Sequence, residues 1–376
     1  GAFELEAGEA LGEGAEATTA VADDIALFLH TSGTTSRPKG VPLTHTNIVT
    51  SIGNIARTYE MVPTDRTLIV MPLFHVHGLM TAMITTLSVG GLAVIPPGGK
   101  FSATNFWPLI VEHKVNWYTA VPTIHQILLG TAETNYPKDD PPKLRFIRSC
   151  SSSLAAPVLE RLETAFGATV LEAYAMTEAA HQMTSNPLPQ FGKRVPGTVG
   201  KGQNVAIAIL GAENEELPPG KVGEVCIRGD NVTKGYKNNA EANASAFAGG
   251  WFHTGDQGFL SEEGYLTLTG RLKELINRGG EKISPLEVDG ALLGHSAVAE
   301  AVCFAAPDEK YGEEVAAALV LKPGAQTNKE ELTEFLKTKI SMFKIPKTFY
   351  FADSLPKTAT GKIQRRFVAE HFLGST

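Results

Sequence analysis

The stretch Leu29-His30-Thr31-Ser32-Gly33-Thr34-Thr35-Ser36-Arg37-Pro38-Lys39-Gly40 gathers hydroxyl and basic side chains, two glycines and a proline between apolar runs. Ile25 to Leu29 reads as a strand and Thr44 to Glu60 as a helix, so the loop is expected where a sheet hands its chain to a helix. Gly33 permits close backbone approach to a ligand, hydroxyls and amides donate hydrogen bonds, and Lys39 adds positive charge. A polyphosphate suits such a loop. An ordinary Ser/Thr/Gly-rich surface loop has the same composition, and the Walker pattern G-x-x-x-x-G-K-[ST] is not met, because Lys39 precedes Gly40 and Val41 follows.

Outward from the loop, 376 residues with 43% hydrophobic and 19% charged content suffice for two or three domains of a soluble enzyme. A net charge of −7 argues against general nucleic-acid binding. Cys150, Cys226 and Cys303 are odd in number and widely spaced, which reads as buried thiols in a reducing compartment. The uncharged run Gly78 to Pro97 approaches membrane-spanning length, but Gly90-Gly91 divides it into a buried helix and a strand, so no membrane span is expected. No secretory signal is visible at the start and no peroxisomal tripeptide at the end, which favours a cytoplasmic protein over a peroxisomal one.

Residues 1–22 read as a flexible, acidic, Gly/Ala-rich lead-in. Strand-like runs at Thr67 to Met71, Leu92 to Ile95, Trp117 to Ala120, Leu144 to Cys150 and Thr169 to Ala173 then alternate with helical patterns such as Ser102 to Val115 and Ala155 to Phe166. The alternation predicts an α/β unit over 23–196, a mainly parallel sheet layered with helices, with ligands at the carboxyl ends of its strands. Over 197–271 short strands with turn signals predict a small β subdomain, including a hairpin turning at Glu263-Gly264. Residues 272–376 read as a mobile α+β C-terminal domain.

Four further stretches carry candidate chemistry: Tyr174-Ala175-Met176-Thr177-Glu178, Trp251-Phe252-His253-Thr254-Gly255-Asp256, Gly270-Arg271-Leu272-Lys273-Glu274-Leu275-Ile276, and Pro356-Lys357-Thr358-Ala359-Thr360-Gly361-Lys362 with its basic continuation. Taken singly they also read as a helix start, a turn, a solvated linker and a basic tail. Together with T-S-G-T-T-x-x-P-K-G they resemble, in order, the motifs of the adenylate-forming superfamily of acyl-CoA synthetases, luciferases and adenylation domains.

The resemblance implies ATP, Mg²⁺ and coenzyme A as the small-molecule partners. By it, Thr31, Ser32, Gly33, Thr34, Thr35 and Lys39 hold the β- and γ-phosphates, and Tyr174 stacks on adenine with Glu172, Ala173 and Ser152 nearby. Thr177 contacts the α-phosphate, Glu178 binds magnesium, and Asp256 and Arg271 reach the ribose. Lys273 is the hinge, Lys362 the catalytic lysine, and Gly279-Gly280 the loop that replaces it when coenzyme A enters; Lys100 is a candidate partner for a coenzyme A phosphate. Members also carry an N-terminal subdomain before the phosphate loop, for which the lead-in is too short. An N-terminally truncated member is therefore expected, with an inert nucleotide-binding fragment as the competing reading.

Pro72-Leu73-Phe74-His75-Val76-His77-Gly78, Arg148 to Ser153 and Met176 to His181 narrow the resemblance to the oxalate–CoA ligase branch. His75, His77, Ser151 and His181 make an acyl pocket polar, which suits a second carboxylate that a fatty-acyl tunnel would leave unpaired. Each histidine also reads as a structural residue. The implied function is an AMP-forming ligation of a small dicarboxylate, oxalate first, to coenzyme A; a coumarate-like or medium-chain ligase, and transfer to a carrier protein, are the alternatives.

Overall fold

The structure is a computed structural model that describes residues 19–31, 38–358 and 362–374. Its largest sheet has seven strands in the order Leu92–Val94, Arg66–Leu68, Trp117–Ala120, Phe146–Ser149, Val170–Met176, His181–Ser185, Lys201–Gly202. The first five run parallel, and His181–Ser185 pairs antiparallel with both Val170–Met176 and Lys201–Gly202. Every residue of Trp117–Ala120 and Phe146–Ser149 is buried, as strands covered by helices on both faces must be. Alternation sorts their side chains. Trp117, Phe146 and Leu171 pack on Ile55 and Tyr59, whereas Tyr118, Ile147 and Val170 meet Phe106, Trp107, Leu159 and Leu162 from the opposite layer. The expected α/β architecture is present.

The phosphate-loop stretch departs from its expected setting. Ile25–His30 returns antiparallel in Gly40–Thr44, with His30 opposite Gly40, and Thr31 N donates to Lys39 O at 3.0 Å. The loop therefore closes a hairpin and does not link a strand directly to a helix. Its return strand escapes the sequence reading because Gly40 and Pro42 interrupt a run of only five residues. Ser32–Arg37, which include the expected phosphate contacts Ser32, Gly33, Thr34 and Thr35, lie outside the described residues. The helix His45–Thr58 follows at once, its start closed by a reciprocal cap: Thr44 Oγ1 accepts from Asn47 N at 3.2 Å and Asn47 Oδ1 accepts from Thr44 N at 2.9 Å.

Val41 and Leu43 bury against Val225, Ile227 and Phe252, so the hairpin is anchored on a second, antiparallel sheet. That sheet runs Ala206–Leu210, Gly223–Arg228, Phe252–Leu260, Leu266–Arg271. The uncharged run forms a π-helical segment, His77–Ile84, continuing as the α-helix Thr85–Ser88 and then the strand Leu92–Val94. No helix among the described residues is long and apolar enough to cross a membrane. A Cβ on Gly78 would stand 2.3 Å from Met71 O and 2.5 Å from Pro72 O, so a glycine is needed where this helix leaves the strand end and delivers His77.

Beyond the short turn Leu272–Glu274 lies a third sheet containing Ile276–Arg278, Glu281–Ile283, Val298–Asp308, Gly312–Leu321 and Thr348–Phe351, flanked by the helices Pro285–Leu293, Lys329–Lys337 and Arg365–Leu373. One face buries Val315, Ala317 and Leu319 against Val288, Leu292, Leu332 and Leu336; the other buries Ala316 and Ala318 against Leu355 and Val368. Ser284 Oγ donates to Thr269 O, tying this unit to the last strand of the second sheet.

Candidate active site

A cleft of about 340 Å³ opens at the carboxyl ends of the parallel strands. Ser151, Ser152, Glu172, Ala173 and Tyr174 line it from the large sheet, Asp256 and Arg271 from the antiparallel sheet, and Lys362 with Arg365 from the third unit. Tyr174 Oη donates to Asp256 Oδ2, and Arg271 Nε lies 3.1 Å from Asp256 Oδ1. Burial, then the adjacent Asp256 carboxylate, push the Tyr174 phenol far above its ordinary range, which keeps it a donor. The turn presenting Asp256 is fixed from behind. Gly255 has φ +73°, its N–H donates to Glu224 Oε1 at 2.9 Å, and Glu224 Oε2 pairs with His253 Nδ1 at 2.9 Å.

Lys362 is held where the cations and anions of the cleft meet. Burial and the nearby Arg271 lower its ammonium to about 8, against the opposing pull of Asp256 and Glu274. Burial, and then the Lys362 charge, also lower His75. The backbone behind Lys362 closes on itself, Thr358 N donating to Lys362 O at 2.9 Å. Arg365, three residues on, pairs with Asp289 at 2.9 Å and Glu274 at 3.3 Å.

Glu178 is buried, and its Oε1 accepts from Tyr236 Oη at 2.8 Å. Lys39 Nζ lies 4.5 Å from the centre of the Tyr236 ring. Burial raises the Glu178 carboxyl, while the Tyr236 hydrogen bond and the Lys39 charge oppose that rise. Thr233 N donates to Glu178 O at 2.7 Å and Lys237 N to Gly40 O at 2.9 Å, so the segment around Tyr236 joins the hairpin to the carboxylate. No sequence signal marked Tyr236. Glu172 is likewise raised by burial, to about 8, with Gly197 N donating to its Oε2 at 3.1 Å.

The four acyl-pocket candidates do converge. His77 Nδ1 is 3.0 Å from Ser151 Oγ, His75 Nδ1 accepts from His77 N at 3.1 Å, and the His77 and His181 ring centres are 5.3 Å apart. Ser151, with φ +72°, lines the cleft, whereas His77 and His181 are fully buried behind it. Thr81 Oγ1 lies 2.9 Å from His181 Nδ1. Thr177 opens the short turn that carries Glu178, while Thr31 and Lys39 flank the phosphate loop. The others lie apart. Lys100 is exposed beside a separate small recess, Lys273 is exposed in the Leu272–Glu274 turn, and the exposed Gly279–Gly280 turn, φ +59° and +99°, does not line the cleft.

A profile described as "AMP-binding enzyme" matches residues 3–237, and one described as "AMP-binding enzyme C-terminal domain" matches residues 287–362. The chain belongs to the AMP-binding enzyme family. Within this family it is 57% identical over 351 residues to an oxalate–CoA ligase of Arabidopsis thaliana, covering 93% of this chain and 68% of that protein. It is also 57% identical over 356 residues to an oxalate–CoA ligase of Saccharomyces cerevisiae, covering 94% and 64% respectively. The chain thus spans about two thirds of the length of the curated relatives it matches. Among solved AMP-binding structures, ATP-bound MatB from Rhodopseudomonas palustris superposes with a TM-score of 0.87 at 32% identity, covering 94% of this chain and 69% of that one.

Proposed function

We propose that the chain performs the two-step ligation of oxalate to coenzyme A. One oxalate carboxylate, ionised at neutral pH, attacks the α-phosphorus of ATP; the bond to the bridging oxygen breaks and pyrophosphate leaves, giving oxalyl-adenylate. The sulfur of coenzyme A, as thiolate, then attacks the oxalyl carbonyl and AMP departs. Neither step needs a protein nucleophile, so the protein's work is charge neutralisation and alignment.

The observation that carries this reading is the cleft that brings Lys362 together with the Tyr174–Asp256–Arg271 cradle and with Ser151, behind which His77 and His181 are buried. A nucleoside seated on Tyr174 and Asp256 presents its α-phosphate toward Lys362 and an acid lying against Ser151. The alternative acids fit less well, because a ring or alkyl chain lying against Ser151 would offer its hydroxyl no partner in the cleft. Glu178 fits a magnesium site: it is a buried carboxylate with one oxygen accepting from Tyr236, and such a group would hold a hard cation whose charge shields the polyphosphate. For the second step, Gly279–Gly280 must enter the cleft that Lys362 occupies, a rotation about Lys273.

The test is AMP release from ATP. It should require both oxalate and coenzyme A, proceed without a carrier protein, and yield oxalyl-CoA. Release that requires a phosphopantetheinyl protein would replace this reading with the carrier-dependent one.

A further inference from the structure

Arg148 is the one charged residue of the buried strand Phe146–Ser149, and it is fully buried. Its Nε donates to Tyr59 Oη at 2.8 Å, Nη1 to Thr119 Oγ1 at 3.2 Å and Nη2 to Gln182 Oε1 at 3.1 Å. All three acceptors are neutral. Among the described residues no carboxylate pairs with it within ion-pair distance, although burying an unpaired guanidinium is costly. The contact with Thr119 leads to the cleft: Thr119 Oγ1 is 2.6 Å from His77 Nε2, and His77 Nδ1 is 3.0 Å from Ser151 Oγ, which lines the cleft.

We propose that Arg148 is a positioning residue that, through Thr119 and His77, turns the Ser151 hydroxyl proton toward the substrate's distal carboxylate. A guanidinium only donates, so it occupies a lone pair of Thr119 Oγ1. The single Thr119 proton then goes to His77 Nε2, its one acceptor among the described residues. That leaves the His77 proton on Nδ1, donated to Ser151 Oγ, and frees the serine O–H to point into the cleft. In the opposite tautomer Nε2–H would face the cationic side, Thr119 would lose its acceptor, and Ser151 would donate inward, presenting lone pairs to an anion. Burial and the Arg148 charge, both of which hold His77 well below its ordinary range, keep the ring neutral and so able to relay direction. The buried cation adds a positive potential behind the same wall without touching the ligand.

This inference rests on oxalate being the acid, and oxamate separates the two. Oxamate has the same shape but an amide in place of one carboxylate, and that amide can pair with Ser151 in either serine orientation, its oxygen accepting from the serine O–H or its N–H donating to the serine lone pairs. Oxalate- and oxamate-dependent ATP–pyrophosphate exchange is measured for the wild type and for Thr119→Val, Thr119→Ser, Arg148→Met and Arg148→Lys, with thermal melts of each. Thr119→Val should raise the oxalate KM by about tenfold or more, the scale of one charge-assisted hydrogen bond, with kcat changed far less and the oxamate KM moved less than about threefold. Thr119→Ser, which keeps the hydroxyl, should restore the oxalate KM. Arg148→Met should share the selective loss, with Arg148→Lys intermediate. Equal losses for both acids, or a Thr119→Ser variant as impaired as Thr119→Val, would overturn the relay even if the arginine variants fail to fold. Absence of oxalate exchange in the wild type would overturn the functional reading and the relay with it.

Discussion

Lys362 and Glu172 show how burial sets the charge states available to the chemistry. With its ammonium lowered to about 8 by burial and Arg271, Lys362 is cationic below that pH and neutral above it. Stabilising charge at the α-phosphate requires the cation, so kcat/KM for adenylation should fall as pH rises through about 8 in the free enzyme. Lys362→Arg, which cannot deprotonate, should lose this alkaline limb while running more slowly, and Lys362→Ala should lower exchange by roughly 10²- to 10³-fold. An alkaline limb unchanged in Lys362→Arg would assign it to another group. Glu172 works in the opposite sense. Its folded carboxyl is raised to about 8, above its unfolded value, so the native state holds a proton that the unfolded chain releases. The associated stability is present at acid pH and is lost as pH rises from the ordinary carboxylate range through about 8. Glu172→Gln removes the ionisation and should gain stability over the wild type across that window, by on the order of 1–3 kcal/mol, read as thermal midpoint against pH.

At the scale of elements, the site depends on joints between strands and helices. The reciprocal Thr44–Asn47 cap starts the helix His45–Thr58, and Asn47 also donates to Asp230 O at 2.7 Å and Val232 O at 2.9 Å. Thr44→Ala should therefore cost about 1 kcal/mol in denaturant unfolding, whereas Asn47→Ala, which additionally abandons two carbonyls, should cost more; equal costs would show the Asn47 clasp to be idle. The five parallel strands of the large sheet were legible in sequence because burial on both faces leaves largely apolar runs, as at Trp117–Ala120, whereas the polar strands His181–Ser185 and Lys201–Gly202 were not. The return strand Gly40–Thr44 was not legible, since glycine and proline chemistry outweighed five residues of weak pattern. Arg148 is a charge in a buried strand, and only the fold shows that it reaches Thr119. Tyr236 gave no signal because its role arises from long-range contacts with Glu178 and Lys39.

For the whole molecule, three sheets meet at one cleft, each supplying what the others lack: the large sheet Tyr174, the antiparallel sheet Asp256 and Arg271, and the third unit Lys362. The motifs were readable as residues in order, yet the sequence could not rank Lys100, Lys273 and Gly279–Gly280 as lying apart from that cleft, because separation in space is a property of the assembled sheets. Lys362 and Ser151 line the same cleft, with the buried His77 bonded to Ser151 behind it. A chain so arranged should adenylate a small dicarboxylate. ATP–pyrophosphate exchange across a panel of oxalate, malonate, acetate, a medium-chain fatty acid and 4-coumarate tests that claim directly. Exchange should be fastest with oxalate and should collapse in Lys362→Ala; faster exchange with the fatty acid or coumarate, or nucleotide binding with no exchange for any acid, would contradict it.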